Sequence, residues 1–328
     1  MNAGPAVDVL LLGAGGNSGR NIAREVVGRG LSVRLAGRRT EPLAALAADL
    51  ARTGVPVTSM ALDVGDPVTV RAAVARTRLV VNTVGPFARY APSVLDACLD
   101  SGVSYVDIAN ERSAVRGALE RDALARQRGV TVVTGAGFGP GGTESLVLGL
   151  VEELAEPTEL VHVATVPANS HVSQGVRDTI AALLPEGATT YEDGVLVRSP
   201  FGTGATTLTI GGRERLMLPG AAGDLEVARL VSDAPNVRAF FADPSQRVPG
   251  DGFSYAYAEV ASTSGRRLAA QAQVGDAVAV GAAFAAEVAR RVVVGAPPGA
   301  WTPGRLFGAD LFAQVTGAVV TRLAEERA

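Results

Sequence analysis

The stretch Val9-Leu10-Leu11-Leu12-Gly13-Ala14-Gly15-Gly16-Asn17-Ser18-Gly19-Arg20 decides the fold of this chain. Its first four residues are apolar and uncharged, as in a parallel strand buried on both faces. The following apolar residues recur at helical spacing, at positions 22, 23, 26 and 27. Strand, glycine turn and helix in this order indicate a dinucleotide site, where the backbone approaches a pyrophosphate at a helix start. A plain strand-to-helix turn is the alternative, because the glycine spacing differs from the dehydrogenase fingerprint.

Composition narrows the class of protein. The chain has 328 residues, 47% of them hydrophobic, which is enough for two domains with full cores. The net charge of -3 and the absence of a basic run argue against nucleic acid as a partner. No apolar stretch is long enough to span a bilayer, and the first residues lack the features of a signal peptide, so we expect a cytoplasmic protein.

Residue types that are rare or missing exclude several chemistries. One cysteine, Cys98, permits neither an intrachain disulfide nor a thiolate metal cluster. Two histidines, His162 and His171, make a histidine metal site improbable, so no metal is expected. All 30 basic residues are arginine. The chain therefore has no Schiff-base lysine, no Walker lysine and no Tyr-x-x-x-Lys pair of the short-chain dehydrogenases.

Strand and helix patterns alternate through the first half of the chain. Apolar strand-like runs occur at 9–12, 32–36, 55–62, 79–82, 103–107 and 130–134, with helical patterns between them. This alternation predicts an α/β fold with an N-terminal Rossmann domain, a doubly wound parallel sheet, over residues 1–155. The glycine-rich segment 135–144 is expected to be a loop near a ligand or a domain hinge, followed by a helix over 145–154.

The second half of the chain has a different pattern. Strand-like runs occur at 160–166, 194–198, 206–210, 236–241, 253–260 and 267–274, with few helices between them. Residues 156–328 are therefore expected to form a second α+β domain with a mostly antiparallel sheet. A long apolar helix is expected over 276–293, either under that sheet or returning to the first domain. A charged helix end is expected over 322–327.

The end of the second strand indicates which dinucleotide binds. An NAD-preferring site usually has an acidic residue there for the ribose hydroxyls, whereas this chain has Gly37 and Arg38. A guanidinium can hold a 2′-phosphate bidentately, so NADP(H) is the favoured cofactor. A solvated loop arginine is the alternative. After the third strand, Asp63 is expected to face the adenine. The predicted cofactor contacts are Gly13, Gly15, Gly16, Asn17, Ser18, Gly19, Arg38, Asp63, Val64, Thr83, Gly85, Pro86 and Phe87.

Candidates for the chemistry follow the later strands. Hydride transfer usually needs one proton donor near the nicotinamide. Tyr90 is the first candidate because it follows the fourth strand, and packing at the rim is its alternative role. His171 titrates near neutrality and is a second candidate. Glu111 follows strand five and is a third candidate, and a loop carboxylate without a role in the site is its alternative. Substrate contacts are expected from Asp107, Phe138 and Arg177.

These residues together resemble a known family, the saccharopine dehydrogenase-like oxidoreductases. The N-terminal half is similar in Gly13 to Arg20, in Ala36-Gly37-Arg38, and above all in Val80-Val81-Asn82-Thr83-Val84-Gly85-Pro86-Phe87. Further similar segments are Tyr105-Val106-Asp107, Gly137-Phe138, Ser173-Gln174-Gly175-Val176-Arg177, Asp193-Gly194, Gly275-Asp276 and Gly299-Ala300-Trp301-Thr302-Pro303. The chain is most similar to the shorter members, including trans-acting enoyl reductases.

The resemblance implies NADPH bound to the first domain, a small-molecule substrate in a cleft between the domains, and homodimers formed through the second domain. The resemblance leaves the reaction open, since members of the family reduce imines, reduce enoyl double bonds or have no known activity. The leading hypothesis is reduction of an activated C=C (enoyl) or C=N bond in specialised metabolism. Two alternatives stay open, a dinucleotide-binding sensor or scaffold without redox turnover, and a lyase or cyclase that retains the fold.

Overall fold

The computed structural model describes residues 7–168, 187–243, 251–323 and 326–327. The chain forms two compact units. Unit 1 comprises Met1–Ala109, Arg116–Gly137 and Gly281–Thr302. Unit 2 comprises Asn110–Val115, Phe138–Val280 and Pro303–Ala328. The C-terminal part of the chain is therefore divided between the units, and the helix after the sixth strand belongs wholly to unit 2.

The elements within the described residues are numbered along the chain. The helices are α1 (Asn17–Gly28), α2 (Thr40–Ala51), α3 (Pro67–Val74), α4 (Phe87–Ser101), α5 (Arg112–Leu119), α6 (Asp122–Arg128), α7 (Phe138–Leu154), α8 (Gly223–Ser232), α9 (Ala277–Val294), α10 (Pro303–Phe307) and α11 (Leu311–Thr316). The strands are β1 (Val7–Leu12), β2 (Val33–Gly37), β3 (Val57–Ala61), β4 (Thr77–Asn82), β5 (Ser104–Asp107), β6 (Thr131–Val133), β7 (Thr158–Val166), β8 (Ala188–Glu192), β9 (Val195–Ser199), β10 (Thr206–Ile210), β11 (Arg213–Pro219), β12 (Asn236–Ala242), β13 (Ser254–Ser262), β14 (Arg266–Val274), β15 (Gly299–Trp301), β16 (Val319–Arg322) and β17 (Glu326–Arg327).

Unit 1 is built on a parallel sheet of seven strands in the order β15-β6-β5-β4-β1-β2-β3. The order reverses at β1, so β1 and β4 flank the switch point at which open α/β sheets bind ligands. The central strand β1 is apolar at Leu10, Leu11 and Leu12 because both of its faces are buried, and these residues are at most 1% exposed. The predicted doubly wound sheet is confirmed, with β15 as an additional edge strand.

Unit 2 contains a sheet of ten strands, of which β10-β11-β12-β7-β13-β14-β16 form the continuous path. Its pairs are antiparallel except β12 with β7, which run parallel. Helices α7 and α8 pack on one face through Leu146, Val147, Leu150 and Leu225. The predicted α+β architecture with a mostly antiparallel sheet is confirmed.

Three local predictions are wrong. The glycine-rich segment is a loop only over 135–137, because α7 begins at Phe138 and includes Gly139, Gly141 and Gly142. A Cβ at Gly142 would lie 3.0 Å from the Cβ of Ala256, so this glycine lets helix and sheet pack closely. The described residues of the range 322–327 do not form the expected helix end, since β16 ends at Arg322 and β17 pairs with β14. Tyr90 lies within α4, which begins at Phe87, whereas the sequence predicts a helix from Pro92 and places Tyr90 on the loop before it.

Candidate cofactor-binding site

The loop between β1 and α1 is shaped by two glycines with no room for a side chain. Gly13 has φ +80°, and a Cβ there would lie 2.5 Å from Oγ1 of Thr83. A Cβ at Gly19 would lie 2.2 Å from the carbonyl oxygen of Gly13. The backbone N–H of Gly16 donates to that same oxygen at 2.9 Å, which closes the turn. The first and last glycines of the motif therefore hold α1 tightly against the end of β1.

The two middle glycines differ, because a Cβ at Gly16 would lie 3.3 Å from the Gly13 carbonyl oxygen, whereas Gly15 has room for one. A Cβ at Gly15 would meet only the Leu43 side chain, at 3.9 Å, which is ordinary contact. Gly16 is the N-cap residue of α1, and no side chain accepts from the first backbone N–H groups of the helix. Free N–H groups and the positive end of the helix dipole favour an anion at this position. The residues present therefore fit a pyrophosphate, with Asn17 and Ser18 in the first turn of α1.

The end of β2 lies beside this loop. A Cβ built on Gly37 would lie 4.0 Å from the backbone nitrogen of Gly15. Arg38 follows directly and is exposed, and within the described part of the chain it forms no ion pair. An exposed guanidinium next to the glycine loop is available for a phosphate on the adenosine ribose.

The end of β3 adds a turn to the same edge of the sheet. Asp63 is exposed, and its Oδ1 accepts from the backbone N–H of Gly65 at 2.9 Å. Val64 is 8% exposed and packs in the core of unit 1. The side chain of Asp63 thus shapes the turn, while Val64 anchors it.

The segment after β4 is tied to β1. Both the backbone N–H and Oγ1 of Thr83 donate to the carbonyl of Leu12, at 3.1 and 2.7 Å. The Gly85–Pro86 peptide bond is cis, and Phe87 is buried at the start of α4. The segments after β1 and β4 therefore meet at the switch point, as the sequence predicted for ligand-binding loops of this sheet.

A buried polar network connects the ends of β4, β5 and β6. The Asn82 side chain accepts from the N–H of Val84 at 3.0 Å and donates to the Tyr105 hydroxyl at 3.1 Å. Oδ1 of Asp107 accepts from three groups, the N–H of Ala109, the Thr134 hydroxyl and the N–H of Gly135, at 2.9–3.0 Å. This network fixes the backbone that follows three neighbouring strands.

Asp107 is fully buried, and burial raises the pKa of its carboxyl against the lowering effect of its hydrogen bonds. The Tyr105 hydroxyl lies beside this carboxyl, but Oδ2 of Asp107 has no well-aligned hydrogen-bond partner among the described residues. These hydrogen bonds give Asp107 a structural role, because they hold the backbone that follows β5 and β6 in place. A direct contact of Asp107 with substrate stays a prediction.

The remaining predicted site residues are distributed over both units. Tyr90 of unit 1 is partly exposed in the first turns of α4, where the guanidinium of Arg89 lies 5.0 Å from its ring centroid. Glu111 of unit 2 is 2% exposed and forms a backbone bridge with Ala222. Phe138 is the first residue of α7. His171 and Arg177 lie outside the described residues, so the convergence of these groups stays a prediction.

Sequence reasoning missed the buried partners of the site. Asn82, Tyr105 and Thr134 are polar residues within or directly after apolar strands, and that break in pattern was the available signal. In unit 2 it also missed Asp224, which is fully buried and accepts from the Thr143 hydroxyl at 2.8 Å. Burial raises the pKa of Asp224 to about 6. Within the described residues, no three His, Cys, Asp or Glu side chains are grouped to hold a metal ion.

Comparison with known proteins identifies the cofactor domain. Residues 9–133 match the family described as the saccharopine dehydrogenase NADP binding domain. This segment of the chain is similar to that family. The match covers the glycine loop, Arg38 and the segment after β4, which is the edge of the sheet described above. The predicted cofactor class, NADP(H), and the predicted family are therefore confirmed for this domain.

Named relatives agree with this assignment. A probable mitochondrial saccharopine dehydrogenase-like oxidoreductase of Arabidopsis thaliana is 32% identical over 146 residues, which are 41% of this chain and 32% of that protein. A trans-acting enoyl reductase of Mycobacterium bovis is 31% identical over 134 residues, 40% of this chain and 32% of that protein. The chain thus spans about a third of the length of these relatives.

The fold of the NADP-binding chain as a whole resembles a solved structure. Apo saccharopine dehydrogenase (L-Glu forming) from Saccharomyces cerevisiae superposes with a TM-score of 0.66 at 14% identity, covering 97% of this chain and 100% of that one. At this identity the likeness concerns the fold. In the part of the chain that the structure describes, no helix is long and apolar enough to cross a membrane.

Proposed function

We propose that the protein is an NADP(H)-dependent oxidoreductase that reduces an activated C=C (enoyl) or C=N bond of a small molecule. One observation carries the proposal, the juxtaposition of an open glycine loop and Arg38 at the switch point of an NADP-binding domain. The named relatives, a saccharopine dehydrogenase-like oxidoreductase and a trans-acting enoyl reductase, support the reaction class. A homodimer and a cytoplasmic location belong to the same proposal.

NADPH, when bound, supplies the hydride. The chain's own residues bind and orient it. The N–H groups at the start of α1 hold the pyrophosphate, because Gly15 leaves the approach to them open. Arg38 holds the 2′-phosphate. Thr83, fixed on the Leu12 carbonyl, and the buried Asn82 network give the nicotinamide side of the site a fixed backbone.

Tyr90 is the proposed proton donor. Its position in the first turns of α4 follows directly on the segment Thr83–Phe87, and its ring is partly exposed. A neutral phenol can donate to the atom next to the one that receives hydride. His171 and Glu111 are the other proposed donors, and Phe138 and Arg177 stay proposed substrate contacts.

The cofactor part of the proposal is tested with Arg38→Ala. Hydrogen bonds to charged groups contribute about 1.5–3 kcal/mol, so NADPH should bind tenfold to ~150-fold more weakly while NADH binding is unchanged. Titration of NADPH and NADH by fluorescence measures both. Arg76→Ala is the matched control, because Arg76 is an exposed arginine directly before β4, at the edge of the sheet opposite to the glycine loop. Equal affinity of the wild type for the two cofactors would refute the role of Arg38.

The chemical part is tested by NADPH consumption with two substrate panels, α,β-unsaturated thioesters and imines. Turnover of either panel by the wild type supports the proposed reaction. A rate lowered at least tenfold in Tyr90→Phe, with unchanged NADPH affinity, supports Tyr90 as the proton donor. Binding of NADPH without turnover of any member would favour a sensor. Product formation without NADPH consumption would favour a lyase.

A further inference from the structure

A second site is built into unit 2, where the hairpin of β10 and β11 folds over the sheet. Its tip lies on β13 and β14. A Cβ at Gly211 would lie 2.6 Å from Cζ of Tyr255, so the tip sits directly on that ring. The N–H of Gly211 donates to Oε1 of Gln271 at 2.9 Å. The inward side chains of the hairpin therefore face the side of the sheet opposite to α7 and α8.

An apolar cluster fills the space beneath the hairpin. We call it the hairpin cluster, and its buried members are Ala164, Val166, Ile210, Met217, Phe240, Tyr255 and Tyr257. Alternation along β11 places Arg215 on the same side as Met217. Leu208 lies directly across from Arg215 on β10. A guanidinium group is thus inserted among apolar and aromatic side chains.

Arg215 is 6% exposed, yet it has almost no internal partner. Its Nε donates to the carbonyl of Ile210 at 3.4 Å, and no carboxylate of the described residues lies within 4 Å of its guanidinium nitrogens. Arg112, the other equally buried arginine of unit 2, makes an ion pair with Glu226 at 3.0 Å. The same unit therefore pairs one buried guanidinium with a carboxylate and leaves the other without one.

The neighbouring acid is already engaged. The Tyr255 hydroxyl donates to Oδ2 of Asp251 at 2.6 Å. Burial and the Asp251 charge raise the pKa of Tyr255, and the positive charges of Arg215 and Arg213 oppose that rise. Arg215 therefore adds positive potential at the edge of the hairpin cluster.

The Arg215 residue is mostly buried, and no nitrogen of its guanidinium is among the fully enclosed side-chain atoms that lack a hydrogen-bond partner. A mostly buried guanidinium without a counter-ion is less stable than a paired one, so an anion that reaches it is favoured. Its planar fork matches the two oxygens of a carboxylate or phosphate. We propose that Arg215 is the anchor of an anion-binding site in unit 2 that takes a carboxylate or phosphate group of a ligand, beside the apolar hairpin cluster. The inference goes beyond the proposed reductase, because the cofactor site belongs to unit 1.

The test compares thermal unfolding of the full chain in sodium succinate, sodium phosphate and sodium chloride at equal ionic strength. A saturable rise of Tm in succinate or phosphate over chloride is expected, about 2–5 °C at tenfold excess over Kd. In Arg215→Met that rise should disappear, and Tm without the anion should be higher than in the wild type, because an uncompensated charge is replaced by an apolar chain of similar length.

Arg238→Met is the matched control, since Arg238 is a unit 2 arginine that is 41% exposed with Glu192 at 3.9 Å. It should keep the anion response. A response to succinate alone assigns carboxylate ligands, and a response to phosphate alone assigns phosphate ligands. An unchanged response in Arg215→Met, or a Tm below that of the wild type, would overturn the proposal. If Arg215→Met does not fold, Arg215→Gln is used for the same comparison. The rise of Tm that NADPH causes reports on unit 1 and should persist in each folded variant.

Discussion

Two glycines of the same loop should respond in opposite ways to alanine. In Gly19→Ala the new methyl group would lie 2.2 Å from the Gly13 carbonyl oxygen and 2.8 Å from the Cα of Ala14. Both are backbone atoms, so α1 must move away from β1 by about 1 Å to restore contact distance. Overpacking of this kind costs about 1–3 kcal/mol, and the upper end is expected because backbone cannot rotate aside.

In Gly15→Ala the methyl group would meet only Leu43, at 3.9 Å, which leaves the folded chain unstrained. Stability should stay within about 0.5 kcal/mol of the wild type or increase slightly, because alanine restricts the unfolded chain. NADPH affinity should nevertheless fall at least tenfold, because the methyl group occupies the approach to the first N–H groups of α1.

Urea unfolding of the apo protein measures the first effect, and NADPH titration of both variants measures the second. Gly28→Ala in α1 is the control, since a Cβ there meets nothing within 4 Å. Wild-type NADPH affinity in Gly15→Ala would refute the reasoning that the open middle of the loop is the pyrophosphate site. Wild-type stability in Gly19→Ala would refute the structural role of the last glycine.

Two further predictions concern unit 2. The pKa of the buried Asp224 carboxyl is raised from 3.8 to about 6, so the folded wild type should lose stability as pH rises from about 4 to 6, by up to about 3 kcal/mol. Asp224→Asn cannot ionise and should not show this loss. Urea unfolding at several pH values checks this, and an equally steep loss in the variant would contradict it. In α7, Gly142→Ala should cost about 1–3 kcal/mol because its methyl group meets Ala256 at 3.0 Å, whereas Gly149→Ala, with nothing within 4 Å, should stabilise by about 0.5–1 kcal/mol. Thermal unfolding of the pair measures the difference, and equal shifts would exclude close packing as the reason for Gly142.

The order of β1 to β6 in unit 1 could be predicted because these strands are rich in apolar residues and each is separated from the next by a helical pattern. Strand β15 was missed because it has only three residues, Gly299–Trp301, in a segment rich in glycine and proline. It joins the sheet through pairing with β6, which is a contact across more than 160 residues of chain. Local pattern carries no information about such a partner.

The backbone of the candidate site could be predicted better than its side chains. The glycines of the first loop and Arg38 were identified from their position after strands, which is a local property of the sequence. The network of Asn82, Tyr105 and Asp107 depends on lateral pairing of β4, β5 and β6, and no spacing along the chain encodes it. The buried polar groups at this edge therefore emerge only when the strands are placed side by side.

Two glycine-rich segments were both expected to approach a ligand, and the structure shows different surroundings for them. Glycine at the first loop and glycine in segment 135–144 follow a strand in the same way. At Gly15 the missing side chain leaves space that only Leu43 approaches, at 3.9 Å, among the described residues, whereas at Gly142 it admits Ala256 and Phe312 of unit 2. A glycine that is needed for internal contact and one that is needed for a ligand are identical in sequence. They are distinguished by what a Cβ would touch, so the distance to the nearest protein atom is the property that separates a binding loop from a closely packed helix.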